Sequence, residues 1–225
     1  MTRHVIVNAD DFGLTDDVSR GIVEAHVNGI VTSTSAMVHR AGAQSAAVLA
    51  RRHRDLSVGL HFDVGGAREG AFDPDDPEST GLELERQLGV FRSLTGAEPT
   101  HLDSHWHVHS RPHLQPVFEA VASRLGVPLR GSGPVAFVGG FYAQWEHGVT
   151  DLRHVSVPAL EGILREETMR EWTEIACHPG YVGDGLDSVY ATEREEEIRT
   201  LTSPGIREAL TAAGLRLASF REAPR

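Results

Sequence analysis

Four times along this chain a helix-forming stretch stops at a glycine and a strand-forming stretch begins within a few residues. The sites are Asn28-Gly29 before residues 30–38, Leu94-Thr95-Gly96 before 99–104, Leu125-Gly126 before 127–130, and Ala213-Gly214 before 215–220. Glycine ends a helix by turning left-handed, a conformation in which a Cβ is costly. A strand reached through a helix rather than a hairpin runs parallel to the strand before it. Further strands are expected over 3–8, 56–63 and 173–177, and helices over 18–28, 43–52, 83–94, 112–125, 160–170, 193–201 and 204–213. Asp16 or Asp17 can cap the first of these helices, and Ser203 with Pro204 can start the last. Seven strand candidates alternating with helices predict an α/β fold, a TIM-like β/α barrel, with a doubly wound open sheet as the alternative. No linker composition divides residues 1–225, so one domain is expected. Residues 65–80, rich in Gly, Pro, Asp and Glu, read as a long loop over the active face. The Gly-rich, aromatic stretch 131–158 has no assignable path.

Either architecture brings the C-terminal ends of the strands to one rim, and these strand ends carry chemistry. The first strand runs into Asp10-Asp11, where a structural turn would need at most one acid. The third ends at His61. Residues 101–109 read His-Leu-Asp-Ser-His-Trp-His-Val-His. If extended, they place His101, Asp103, His105, His107 and His109 on one face. Arg130 and His178 end later strands. Two imidazoles and a carboxylate in a facial set leave positions open on a metal, the mark of a catalytic rather than a structural site. Cys177, beside His178, faces the opposite way on a strand and reads as a buried, inert thiol.

Composition removes several other classes. The formal net charge is −11, which repels a phosphate backbone or an anionic membrane. All 21 basic residues are arginine, so a lysine Schiff base and a P-loop lysine are excluded. A single cysteine excludes an internal disulfide framework or a Cys-rich metal site. The chain starts directly in an apolar strand and has no run of membrane-spanning length, from which a cytoplasmic location is expected.

Six segments then carry a family resemblance. They are Val7-Asn8-Ala9-Asp10-Asp11-Phe12-Gly13, Asn28-Gly29-Ile30-Val31-Thr32-Ser33-Thr34, Gly59-Leu60-His61, Thr100-His101-Leu102-Asp103-Ser104-His105, Cys177-His178-Pro179-Gly180 and Ser219-Phe220-Arg221. In this order, over nearly the whole chain, they resemble the YdjC-like (ChbG/HpnK) carbohydrate deacetylases. The resemblance implies a distorted seven-stranded β/α barrel and metal-dependent removal of an N-acetyl group from an amino sugar. Carried over by position, it implies Asp11, His61 and His105 as ligands of one divalent ion, Mg2+ or Zn2+. It implies Asp10 as general base and His178, as imidazolium, as the proton donor opposite, a task that an ordinary histidine pKa near 6.5 suits. Arg130 matches a basic position that holds Asp10 ionised. The partners expected are a small carbohydrate and, at most, a second copy of the chain as a homodimer, with neither nucleic acid nor membrane. Two stretches depart from the pattern: Trp106 stands where another histidine is expected, and Val64-Gly65-Gly66 replaces a more polar run. If the sugar is phosphorylated, Arg68 and Arg130 are the nearest basic candidates, while His107 and His109 are expected to orient ligands or touch the sugar. A metal-dependent phosphoester hydrolase and a non-catalytic metal or sugar-binding module remain as rival readings.

Overall fold

A computed structural model describes residues 2–65 and 72–225 of the chain. The elements run β1 (Arg3–Phe12), α1 (Asp16–Val27), β2 (Ser33–Ala36), α2 (Ala43–Arg52), β3 (Ser57–Phe62), α3 (Pro77–Thr95), β4 (Leu102–Ser104), α4 (Gln115–Leu125), β5 (Val135–Val138), α5 (Val157–Glu166), β6 (Trp172–Cys177), α6 (Thr192–Leu201), α7 (Pro204–Ala212) and β7 (Leu215–Leu217). All strand pairs are parallel, in the order β4-β3-β2-β1-β6-β5, with β7 also on β1. Strand β6 takes one edge of β1 from His4 to Ala9. The other edge is shared: β7 pairs Arg3–Val5 and β2 pairs from Asn8 onward. The sheet is therefore a curled parallel barrel wall, as expected, with an unpaired seam between β4 and β5.

The helices bury one stripe each against this wall. In α1 the buried positions are Val18, Ser19, Gly21, Ile22 and Ala25, the spacing of one helical face. Five phenylalanines, Phe12, Phe62, Phe91, Phe118 and Phe141, are fully buried, each contributing about 2–3 kcal/mol of transfer free energy. Strand β1 is buried from Val5 to Phe12. A strand covered on both faces needs a continuous apolar run, and the polar exceptions in it, Asn8, Asp10 and Asp11, are the site.

Several expectations are corrected. Gly96, Gly126 and Gly214 have φ of 74°, 65° and 66° and are left-handed as expected, but Gly29 is not. There a Cβ would meet the carbonyl oxygens of Ala25 and Leu201 at 2.5 Å, so close backbone approach demands the glycine. Thr15, not Asp16 or Asp17, caps α1 by accepting from the Val18 N–H. Helix α3 begins at Pro77, capped by Asp76, and takes the end of the supposed loop 65–80. Pro112 precedes α4, in whose first turn Pro116 sits instead. The expected strand 127–130 contributes only one bridge, Leu102 to Leu129. The fifth strand comes from the stretch without an assigned path, at Val135–Val138.

Candidate metal centre and catalytic groups

The end of β1 solves a geometric problem. Neighbouring residues on a strand point to opposite faces, so Asp10 and Asp11 could not both face the rim from a regular strand. In the pairing with β2, Ala9 lies opposite Thr34 and Phe12 opposite Ala36, so β1 carries one residue more than its partner. Asp11 absorbs that bulge at φ 70°, a left-handed conformation that aspartate tolerates better than most residues. Both carboxylates thereby reach one site.

Asp11 Oδ1 lies 3.5 Å from His61 Nε2 and 3.3 Å from His105 Nδ1, and the two nitrogens are 3.4 Å apart. Donors about 2.1 Å from a tetrahedral ion stand roughly 3.4 Å from one another, so this triangle has the size of a metal's coordination face. Asp11 Oδ1 is buried and has no hydrogen-bond partner, a cost that a bound cation would remove. The residues thus fit a divalent ion. The second oxygen of Asp11 accepts from Arg194 at 2.6 Å. Burial opposes ionisation of Asp11, but Arg194 prevails and holds the carboxyl well below the usual range.

His61 stands directly across from Asp103 in the β3–β4 register, and its Nδ1 lies 2.8 Å from Asp103 Oδ1. That contact directs Nε2 toward Asp11, the arrangement by which a carboxylate orients a metal-ligating imidazole. Burial disfavours the imidazolium, yet Asp103, Asp10 and Asp11 together lift His61 to about 9. A field that favours a proton there favours a metal cation as well. Asp10, His61 and Asp103 also converge within 4.8 Å, but the Arg130 cation already occupies that side.

Arg130 is the hub of the second half of the site. Its Nη1 and Nη2 donate to Asp10 at 2.7 and 2.6 Å, Nη2 lies 2.9 Å from Asp103, and Nε donates to Glu174 at 2.8 Å. Asn8 adds a 2.8 Å bond to Asp10 Oδ1. Burial resists the charge on Asp10, and Arg130 outweighs it, so Asp10 stays ionised. Glu174, also buried, is pushed up to about 7 because desolvation exceeds the help that Arg130 gives.

His178 follows β6, with Nε2 3.9 Å from Asp10 Oδ2 and its side chain 23% exposed. Tyr142 and Tyr190 stack on each other and present their rings edgewise to the imidazole at 5.4 and 5.6 Å. Its backbone N–H donates to buried Glu197, which also accepts from the Tyr190 hydroxyl. Burial pulls His178 down from the ordinary 6.5 to about 4, against the raising effect of Asp10 and Asp11.

The sequence-derived set Asp10, Asp11, His61, His105, Arg130 and His178 therefore converges, whereas the extended face over 101–109 does not form. Only Leu102–Ser104 is strand, and a 3₁₀ turn, His105–Ser110, follows with Trp106 and His107 at φ 54° and 51°. His101 is buried below the site, stacked on Phe220 at 3.9 Å. A Cβ on Gly59 would meet its ring at 2.5 Å. The motif residues Gly59, His101 and Phe220 are thus one supporting stack. His109 bonds Ser104 Oγ through Nδ1 at 2.6 Å, and His107 packs on Phe137. Cys177 is buried, donates to the Asn8 carbonyl and has its thiol pKa raised by burial, an inert group as expected. Arg68 lies outside the described residues. Sequence reasoning did not find Arg194, Glu174 or Glu197; the one available signal was a lone acid, Glu174, inside an otherwise strand-like run.

A family model described as YdjC-like protein matches residues 4–212. The chitooligosaccharide deacetylase of Serratia marcescens is 33% identical over 99% of this chain and all of its own length. The carbohydrate deacetylase of Geobacillus stearothermophilus is 35% identical, covering 99% and 98%. Among solved structures, a protein of Enterococcus faecalis provisionally described as a cellobiose-phosphate cleavage protein superposes with a TM-score of 0.83 at 26% identity over all of both chains. A family 4 acetyl xylan esterase of Clostridium thermocellum, in complex with a cobalt ion, shares the fold at TM-score 0.57 and 14% identity, covering 98% and 89%.

Proposed function

The chain belongs to the YdjC-like family, and from that premise we propose that it is a metal-dependent deacetylase of N-acetylated amino sugars or short chito-oligosaccharides. The observation that carries the reading is a division of labour. Asp11, His61 and His105 form a donor triangle, while Asp10, the neighbour of Asp11, stands outside it, clamped in its ionised form by Arg130. A non-catalytic metal module would have no use for that second carboxylate. Two imidazole nitrogens and one carboxylate suit Zn2+ better than Mg2+, which prefers oxygen donors. When bound, such an ion supplies Lewis acidity to the acetamide carbonyl and lowers the pKa of water.

Asp10 accepts the proton of the attacking water, and Arg130 keeps it ionised for that purpose. Asp103 and Arg194 fix the orientation of His61 and Asp11. His178, neutral at rest, serves as a relay: its Nε2, 3.9 Å from Asp10 Oδ2, takes the proton from Asp10 once the pair closes to hydrogen-bond distance or through one water, and delivers it to the leaving amine. Tyr142 and Tyr190 hold the ring for both transfers. Among the described residues the rim arginines Arg40, Arg130 and Arg194 each already hold a carboxylate, so none of these three is free for a phosphate.

The test is acetate release by metal-loaded protein from N-acetylglucosamine, di-N-acetylchitobiose and its 6-phosphate. Asp10→Asn should keep its metal and lose turnover by about 10²–10⁴-fold. Acetate from none of the three, with phosphate released from a phosphoester panel, would sink the deacetylase reading.

A further inference from the structure

Helix α6 departs from the pattern of its neighbours. Beside Ile198 and Leu201 it buries Glu193, Arg194, Glu197 and Thr200, where a helix of this kind ordinarily buries an apolar stripe. Buried polar groups need partners, and those of Arg194 and Glu197, one turn apart, meet at His178. Arg194 Nη1 donates to the His178 carbonyl at 3.3 Å, while Nη2 holds Asp11. Glu197 Oε2 accepts from the His178 N–H, and Oε1 accepts from the Tyr190 hydroxyl. That hydroxyl in turn accepts from the Ala143 N–H at 3.3 Å, next to Tyr142. One carboxyl thereby ties the end of β6 to the two segments that carry the tyrosines.

The imidazole of His178 has no anchor of its own. Its Nδ1 is buried without a hydrogen-bond partner among the described residues, and its Nε2 stands 3.9 Å from Asp10. His61, by contrast, is oriented through its ring by Asp103. A bond to one ring nitrogen fixes the tautomer, which suits a ligand. A ring that carries a proton from one partner to another must turn between them, so it is better steered through its backbone and its flanking rings. We propose that Glu197 is the positioning residue of the relay, placing His178 through its backbone N–H and through Tyr190. The inference rests on the deacetylase reading and deepens it with a group bonded to neither Asp10 nor a metal ligand. Burial pushes the Glu197 carboxyl up to about 8, but neither contact depends on its charge. Once protonated, Oε1 donates to the Tyr190 oxygen instead of accepting from it, and Oε2 keeps the His178 N–H. Glutamine offers the same donor and acceptor on its two branches.

Glu197→Leu therefore keeps the volume and removes both contacts, whereas Glu197→Gln keeps both. For metal-loaded protein with di-N-acetylchitobiose, Glu197→Leu should lower kcat about 10²-fold, the cost of misplacing a reacting group by roughly 1 Å, with KM within about threefold of wild type. Glu197→Gln should recover most of that loss. Metal affinity, measured by chelator competition, should be the same in both variants as in wild type. In a His178→Gln background Glu197→Leu should cost nothing more, because a residue that acts through one partner loses its effect when that partner is gone. The His178 amide proton, drawn downfield by its acceptor, should move upfield in the NMR spectrum of Glu197→Leu and far less in Glu197→Gln, a readout independent of turnover. Tyr190→Phe deletes one arm and keeps the ring, and answers the same question should Glu197→Leu fail to fold: its smaller loss of kcat should also vanish in the His178→Gln background. Losses that multiply in the double variants, an equal loss in Glu197→Gln and Glu197→Leu, or wild-type kcat in Glu197→Leu overturn the proposal. Wild type that releases no acetate, with the amide signal still dependent on Glu197, would instead leave the anchor of His178 standing and remove the deacetylase reading.

Discussion

His178 shows how far a residue's environment can depart from its ordinary chemistry. Motif position makes it a proton donor. Its setting, largely withdrawn from solvent beside two tyrosine rings and in the field of Arg194 and Arg130, holds it neutral above about pH 4. A histidine whose folded pKa is depressed has released its proton well before pH 6, so it has nothing left to titrate on the alkaline side. Any alkaline limb in kcat/KM should therefore keep its midpoint in His178→Gln, even though turnover falls by about 10²–10⁴-fold. A wild-type limb near pH 6.5 that vanishes in the variant would show that His178 is a resting imidazolium after all. Site residues were legible where chemistry forced an unusual type onto a strand end, as at Asp10, Asp11, His61 and His105. Asp103 was visible only as one more donor on a face. Its actual role, orienting His61, depends on the β3–β4 register, which no single segment encodes. Arg194 reaches Asp11 from a helix 183 residues away, a contact that only the fold creates.

At the scale of elements, helix–glycine–strand punctuation was enough to predict parallel strands, because a left-handed stop followed by an extended run is a local event. It failed where the cause was not local. Gly29 answers to the backbone of Leu201, and residues 127–130 hold a single bridge because β4 is only three residues long. Gly21 belongs to the same class. A Cβ on it would meet the Cα of Gly180 at 2.6 Å, so α1 rests directly on the backbone that leads away from His178. Gly21→Ala must push that segment outward, at a cost of about 1–3 kcal/mol. It should lower kcat by about tenfold or more while metal content stays stoichiometric. Wild-type kcat in a variant of reduced urea stability would mean that α1 supports the fold without positioning His178.

The whole molecule holds many buried ionisable groups, and their shifts set its response to pH. His101, His109 and His178 are each pulled down to about 4 by burial. They bind protons more readily when unfolded, so they stabilise the fold at pH 6.5 and lose that contribution as pH falls toward 4. Glu174 and Glu197 are pushed up to about 7 and 8, and His61 to about 9. These three bind protons more readily when folded, so their contribution is lost as pH rises through those values. Between about pH 4.5 and 6.5 these histidines, to which His39 and His107 add because burial lowers them too, outnumber the two glutamates, and above 6.5 only the opposite group remains. Metal-stripped protein should accordingly be most stable near pH 6.5, with slopes on the order of 1.4 kcal/mol per pH unit for each net proton. Urea unfolding between pH 4.5 and 8.5 measures this, and stability rising throughout that range would contradict it. The seam between β4 and β5 bears on a different matter, self-association. An open parallel wall has two outer edges, and exposed edges invite pairing with other chains. Here those edges are three and four residues long, and Leu129 already bridges the first. Strands so short offer a neighbouring copy too few backbone bonds to template growth, so the barrel can stay open at this seam without becoming a seed for aggregation.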